Sequence, residues 1–371
     1  MAIQGIKNVD FIITATGEGI VNSNGSFAAY NPSAGSVVKN HMFPKLRGMD
    51  PMQRLAKAGE GSMVVNLSDP AIGLAQLIVS AECIRAGIFK DVSFGLAQVT
   101  VENVTSVLAS LHGLVRGYLI TEGGRNFARK SPLFVTDFEC ASPGLVFNQG
   151  TNSKARGTEN EATSIYSYFK TDRDLDYIGK AALSIEDLQF IPMENSLGRS
   201  AFDHQISVTK GEAVAERITQ FLTDIAKDGQ VPEARFVRKA VRVGSVSQAG
   251  DAGILLNDDA LRVVIDQIKD LIESLYIRQG KGFLQVVDVL VDYNDGNRVF
   301  RAESDPSIAV GVDTAGFAQY YSEVTISDAE YDLAAKMAAS KAVARKASKD
   351  ASKTEKATRK QQAKPIPDAA V

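Results

Sequence analysis

Between residues 258 and 293 the hydrophobic period of the chain switches from helical to alternating, across a basic turn flanked by glycines. Leu261, Val264, Ile265, Ile268, Leu271, Ile272 and Leu275 recur at helical spacing, which predicts an amphipathic helix over residues 258–276. Asn257 or Asp258 is its natural N-cap. Phe283, Gln285, Val287, Val289, Val291 and Tyr293 then alternate, predicting a strand with these residues on one side, closed as a hairpin by Asn294-Asp295-Gly296. The junction between them reads Ile277-Arg278-Gln279-Gly280-Lys281-Gly282-Phe283. Two cations and two glycines there bring bare backbone and positive charge to one surface spot. Such a spot suits a phosphate backbone, and it equally suits a helix C-cap with solvated charges.

A helix feeding a strand is ordinary globular material, and the composition agrees. The 371 residues are 44% hydrophobic and 23% charged, enough for one large domain or two ordinary ones. Two cysteines, Cys83 and Cys140, form neither a disulfide framework nor a metal pattern, so a reduced, cytoplasmic setting is expected. The sequence has no apolar run of about eighteen residues and no charged-then-apolar leader over residues 1–10, so no membrane partner is expected. The net charge of −3 hides an asymmetry. Residues 336–364 carry ten Lys or Arg against two acids, a net of +8 that leaves −11 on the rest. Overall charge therefore says nothing for or against a nucleic-acid partner, because the charge that matters is local.

Elsewhere the pattern alternates between strands and helices. Residues 6–13 read as a first strand, 16–36 as an irregular Gly/Asn/Ser connection, and 49–70 as a glycine-spotted stretch without period. A short buried strand is expected over 74–79, and Ser80 is placed to cap a helix over 81–89. The stripe of Val104, Val107, Leu108, Leu111, Leu114, Val115 and Tyr118 predicts one helix over 101–119. Further strands are expected at 133–138 and 181–191, a Gly/Asn-rich segment at 144–157, and a helix at 212–227. Hairpins mixed with helices fit an α+β, ferredoxin-like arrangement with long insertions. Residues 1–328 form the expected body. Residues 329–371 form a low-complexity basic tail, read as disordered or a transient single helix because it lacks large apolar residues.

The familiar catalytic patterns are absent. His41, His112 and His204 show no metal-ligand spacing, and no Walker loop, nucleophile elbow or paired Cys-x-x-Cys occurs. Gly17-Glu18-Gly19 lacks the third glycine and the helix of a dinucleotide loop. Asp258-Asp259 sits where carboxylates cap a helix and meet its dipole. No cofactor or metal is expected, and nothing argues for an enzyme. Cations beside glycines or at element ends are more telling: Lys45, Arg47, Arg85, Arg116, Arg125, Arg129, Lys130, Arg278 and Lys281, with Gln279 between the last two. Such donors suit phosphates, and Tyr166, Tyr168, Phe169 and Phe283 offer faces on which bases stack. For any one of them alone, a solvated surface position is the simpler reading.

Several of these residues fall in an ordered set of stretches: Gly5-Ile6-Lys7-Asn8-Val9-Asp10-Phe11, His41, Pro44-Lys45-Leu46-Arg47-Gly48, Cys83-Ile84-Arg85, Gly113-Leu114-Val115-Arg116-Gly117-Tyr118 and Ser131-Pro132-Leu133. The set continues with Ser184-Ile185-Glu186-Asp187-Leu188-Gln189-Phe190-Ile191, Gly253-Ile254-Leu255-Leu256-Asn257-Asp258-Asp259-Ala260, Ile277-Arg278-Gln279, Lys281-Gly282-Phe283, Val291-Asp292-Tyr293-Asn294-Asp295 and Phe317-Ala318-Gln319-Tyr320-Tyr321. In this order they resemble the backbone subunit of CRISPR type I surveillance complexes (Cascade), a branch of the repeat-associated protein superfamily, most of all that of the minimal type I-F variant. The resemblance implies an RNA-recognition-motif-like palm with a protruding thumb and other insertions. It implies copies of the chain stacked in a helical filament along the guide RNA (crRNA), gripping its spacer by the backbone and presenting it for target DNA pairing beside other Cascade subunits. It implies no catalysis by this subunit. The thumb is expected over residues 49–70, with 144–169 as the competitor, and the tail has no counterpart in the resemblance. Two other readings stand beside it: a guide-processing endoribonuclease of the same superfamily, and a self-assembling structural protein without nucleic acid.

Overall fold

Val9, Phe11, Ile13 and Ala15 alternate along the first strand and all four are buried. That alternation makes β1 (Asn8–Gly19) the spine of the largest sheet. In the computed structural model the chain is described over residues 3–31, 36–44, 56–58, 62–66, 76–91, 99–122, 125–140, 145–152, 164–171, 175–193, 200–202, 207–246, 250–279, 282–327 and 329–332.

After β1 come β2 (Ser23–Asn31), β3 (Ser36–Pro44), β4 (Ala56–Ala58), β5 (Ser62–Asn66) and β6 (Ile78–Val79). Helix α1 (Ala81–Ile88), the short α2 (Val104–Leu108) and a π-helical turn (His112–Arg116) lead into β7 (Tyr118–Glu122), β8 (Arg125–Arg129), β9 (Leu133–Val135) and β10 (Phe138–Cys140). Then follow β11 (Leu145–Asn152), β12 (Ser164–Thr171), β13 (Leu175–Ser184), α3 (Ile185–Gln189), β14 (Phe190–Pro192) and α4 (Val208–Ile225). The last third holds β15 (Ala234–Arg242), β16 (Gly250–Leu256), α5 (Asp258–Glu273), β17 (Tyr276–Gln279), β18 (Gly282–Asn294) and β19 (Tyr321–Glu323).

The fold is thus α+β. The large sheet runs β17-β18-β1-β13-β10-β6, with β9 also on β13, and every pairing in it is antiparallel. A second sheet runs β14-β16-β15-β19 and a third β3-β2-β5-β4. α5 lies on β18, α4 lies on β15 and β16, and the two helices touch, so they share one core between the first two sheets. α1 meets both β17 and β9, from opposite margins of the large sheet. The sheet is curled around it. Gly87 makes this approach possible, since a Cβ there would stand 2.8 Å from the Ile277 side chain.

Local chemistry explains where these elements depart from the sequence periods. Of the two N-cap candidates for α5, Asn257 takes the role: its side chain accepts from the Ala260 amide at 2.8 Å, with Asp258 and Asp259 in the first turn. The helix ends at Glu273 rather than 276, where the Leu275 amide closes on Ile272 O and Tyr276 pairs with Gln285 in the sheet. Edge pairing outcompetes another half turn of helix. Ser80 makes no cap bond with its side chain; Asp137 Oδ1 instead accepts from the Ala81 amide at 2.8 Å. The helix expected over 101–119 is broken. Ser110 Oγ donates to Val107 O at 2.5 Å and accepts from the Gly113 amide, taking over main-chain partners. The chain then resumes as a π-helical turn, stopped by Gly117 at φ 77°, and the apolar stripe stays buried from Val104 to Val115.

Three strand expectations are corrected as well. Residues 16–36 are not an irregular connection, since β1 runs on to Gly19 and β2 and β3 pair as a hairpin. Residues 181–191 split into the end of β13, α3 and β14, because Ser184 Oγ caps α3 on the Asp187 amide. Asn294-Asp295-Gly296 closes no hairpin; β18 pairs with β1 and β17, and the chain leaves it as a strap.

Candidate nucleic-acid interface

The residues of β1 between the buried ones, Ile12, Thr14 and Thr16, face away from the core. Across the ladder they meet Leu290, Asp288 and Gln285 of β18 and Lys180, Ile178 and Asp176 of β13. Phe134 of β9 joins the same face through Ala182 and Asp10. The face is laid out by one irregularity. Thr14 pairs with Asp288 but Ala15 pairs with Val286, so Val287 is an extra residue bulging from β18. Side chains before and after it therefore change sides: Leu284 is buried and Phe283 and Gln285 face outward, whereas Val291 beyond it is buried. The single alternating face expected over 283–293 is corrected by that bulge.

Apolar and aromatic groups remain exposed across this side. Phe134, Ile178, Val287 and Tyr276 keep 47–56% of their surface in solvent, more than large apolar residues keep when a sheet face is packed. Tyr276 and Phe283 lie with ring centroids 6.3 Å apart and tilted 35°, and Arg278 pairs opposite Phe283 on the edge strand. At the far margin Phe134 and Phe300 are 6.4 Å apart, with Lys180 Nζ 5.6 Å from the Phe300 ring and 2.7 Å from Glu303. Asp176 and Asp288 share the face with these cations. Mixed charge disfavours a phosphate at the centre, and the rings on either side of it suit bases.

Phe300 is set by a polar latch. Its φ of 57° is left-handed, a strained choice for a bulky residue. Buried Asp10 accepts at Oδ2 from the Phe300 amide and from Asn294 Nδ2, both at 2.7 Å. Arg301 forks onto Asp292 at 2.8 and 3.0 Å and reaches Asp295 at 2.6 Å. Burial raises the Asp10 carboxyl above its ordinary range, opposed by the Asn294 and Phe300 hydrogen bonds. The Asp292 fork, more than any other contact, holds Arg301 above the usual guanidinium value.

A family comparison matches most of the chain: the Type I-Fv CRISPR-associated protein Cas7fv-like family model covers residues 5–324. The chain belongs to that family. It is a Cascade backbone subunit of a minimal type I-F variant, as the ordered stretches implied. No curated protein matches it.

Within this Cas7fv-like chain the cations singled out in the sequence are scattered. Arg278, Gln279 and Phe283 come together on the β17–β18 margin. Lys130 is exposed and paired with Asp187 at 2.8 Å. Arg129 is no surface residue. It is buried, donates to Leu114 O and Asp187 O, and desolvation pushes its guanidinium down to about 10. A donor spent on buried carbonyls cannot also hold a phosphate, so Arg129 leaves the candidate set. Arg85 and Arg116, distant in sequence, are both tied to the 131–133 turn, Arg85 through Leu133 O and Arg116 through the Val115 carbonyl before it. Arg125 stands at the tip of the β7–β8 hairpin, and Tyr166 and Phe169 lie on β12 opposite Gly150 and Phe147. Lys45, Arg47 and Lys281 lie outside the described residues. Phe134, Ile178, Lys180, Tyr276 and Phe300 were not singled out by the sequence. Alternation of Tyr276 with Arg278 was the one readable signal, masked by the helical period ending there. His112 is buried in the π-helical turn, and burial first, then the Arg116 charge, lowers its pKa. Among the described residues no helix is long and apolar enough to cross a membrane, and no group of His, Cys, Asp and Glu is arranged to hold a metal.

Proposed function

We propose that this backbone subunit binds the guide RNA on the open side of its large sheet, holding it for pairing with target DNA without cutting it. The observation that carries the reading is the exposed aromatic and apolar face running from Tyr276 and Phe283 to Phe134, with Arg278 and Lys180 at its margins. Rings there stack on bases irrespective of sequence, and marginal cations meet the backbone. The order β18-β1-β13-β10, all antiparallel, with α1 before β10 and α5 before β18, supports an RNA-recognition-motif-like palm. The two competing thumb segments support a single protrusion: β4 and β5 pair onto the β2–β3 hairpin, and β12 packs against β3. Such a protrusion is the part that reaches a neighbouring copy in a helical filament with other Cascade subunits.

Equilibrium binding of single-stranded RNA across a salt series tests the reading. Affinity should fall by about 0.7 log unit per phosphate contact for each log unit of salt. It should be indifferent to spacer sequence, and the RNA should be recovered intact with divalent metal added. A flat salt response or strong preference for one sequence would sink this account. Cleavage abolished by one substitution would move the protein to the endoribonuclease reading.

A further inference from the structure

The margin of the large sheet at β9 holds a feature that the open face does not use. The Ser184 amide bonds Pro132 O and the Thr136 amide bonds Lys180 O, so even-numbered residues of this strand pair with β13. Leu133 O therefore points off the free edge. Arg85 Nη2 donates to it at 3.1 Å from the last turn of α1. Ser131 Oγ lies 2.9 Å from the same carbonyl and 2.8 Å from Val115 O, the carbonyl bonded to the Arg116 amide. One short chain of atoms thus ties the Arg85 guanidinium to the backbone of Arg116.

The Arg116 side chain makes no hydrogen bond or ion pair among the described residues. Burial keeps the Arg85 guanidinium below its ordinary value; Glu82, one turn back, opposes this and the Arg116 charge adds to it. Two half-buried guanidinium groups against the single Glu82 carboxylate leave a net positive charge here, which an anion relieves. The nearest exposed ring on the same strand is Phe134, the next residue after the carbonyl that holds Arg85. An anion here sits one residue from a surface on which a base stacks.

We propose that Arg85 and Arg116 together hold one phosphate of a single-stranded RNA at the free edge of the large sheet, with the adjoining base lying on Phe134. This rests on the guide-binding reading above and adds to it a paired site for one phosphate. Two guanidinium forks can surround the nonbridging oxygens of a diester, and that geometry favours it over a lone carboxylate.

The test is a double-mutant cycle with Arg85→Gln and Arg116→Gln in the full chain, read as single-stranded RNA affinity across a salt series. Each single variant should weaken binding by about tenfold, and the double variant by clearly less than the product of the two. The salt slope of the double variant should drop by about 0.7, the value for one phosphate. Multiplicative losses with a slope drop of about 1.4 would mean two separate phosphates and overturn the pairing. Unchanged affinity and slope in a wild type that does bind would overturn the site while leaving the guide-binding reading intact; a wild type that binds no RNA would overturn both. Should Arg85→Gln unfold for want of its bond to Leu133 O, Arg116→Gln alone decides: a folded variant with wild-type affinity and slope overturns the site.

Discussion

Asp10 shows how one buried side chain shapes the candidate surface. Its Oδ2 anchors the Phe300 amide and Asn294, while Oδ1 is buried without a hydrogen-bond partner among the described residues. The charge is therefore only partly compensated, which is why its pKa is raised. A raised carboxyl contributes stability that is complete below the unfolded value of about 3.9 and lost as pH climbs through the folded pKa. Asp10→Asn keeps an acceptor and discards the charge. It should be at least as stable as the wild type at pH 7, with the difference vanishing in acid. Asp10→Ala leaves the Phe300 amide unpaired and should cost about 2 kcal/mol in acid, and less at pH 7, where the wild type bears the buried charge. Urea midpoints at pH 4 and 7 check both; an Asn variant as weak as the Ala variant would show that the charge itself is needed. Residues such as Arg129 carry the complementary lesson. Its place at an element end made it look like a phosphate donor, but only the fold brings Leu114 O and Asp187 O to its guanidinium.

At the scale of elements, one inserted residue decides which side chains the surface displays. Without the bulge at Val287, the residues of β18 on one side of it would have to reverse faces relative to β1. Deleting Val287 should turn Leu284 and Val286 outward, or else Val289 and Val291. Exposing two such side chains costs about 3–6 kcal/mol. We expect a deletion variant that unfolds at markedly lower urea or loses its single cooperative transition; one with wild-type stability would show that the strand re-registers freely. The hydrophobic periods themselves were readable. α4 and α5 formed within a few residues of expectation because each has one apolar stripe and a capping side chain, Ser207 and Asn257. The 101–119 stripe had the same apolar spacing and yet broke, because the Ser110 hydroxyl and the close approach of Gly113 to Val107 O are local contacts that a period does not contain.

At the scale of the molecule, charge is divided unevenly between the body and its basic end. The last described residues pack: Tyr331 is buried with its ring edge-on to Phe236. Beyond it, residues 336–364 carry a net charge of +8 with almost no large apolar side chain. Removing residues 336–371 should leave thermal unfolding unchanged, since little there is able to pack into a core. It should weaken binding to random duplex DNA at low salt while sparing guide binding. Superimposed duplex isotherms for full-length and truncated protein would leave this segment without a nucleic-acid role. A lowered melting temperature would make it part of the body.

The sequence by itself determined the α+β class, the buried faces of the long helices and first strand, and the family, because hydrophobic periods and ordered short motifs are local properties that survive without coordinates. Tertiary structure alone decided which margins of the large sheet meet α1, which face of β18 shows Phe283, and which arginines lie together. Pairing register, a one-residue bulge and edge carbonyls seeking donors are relations between segments far apart in the chain. Their energies depend on partners that no local pattern names.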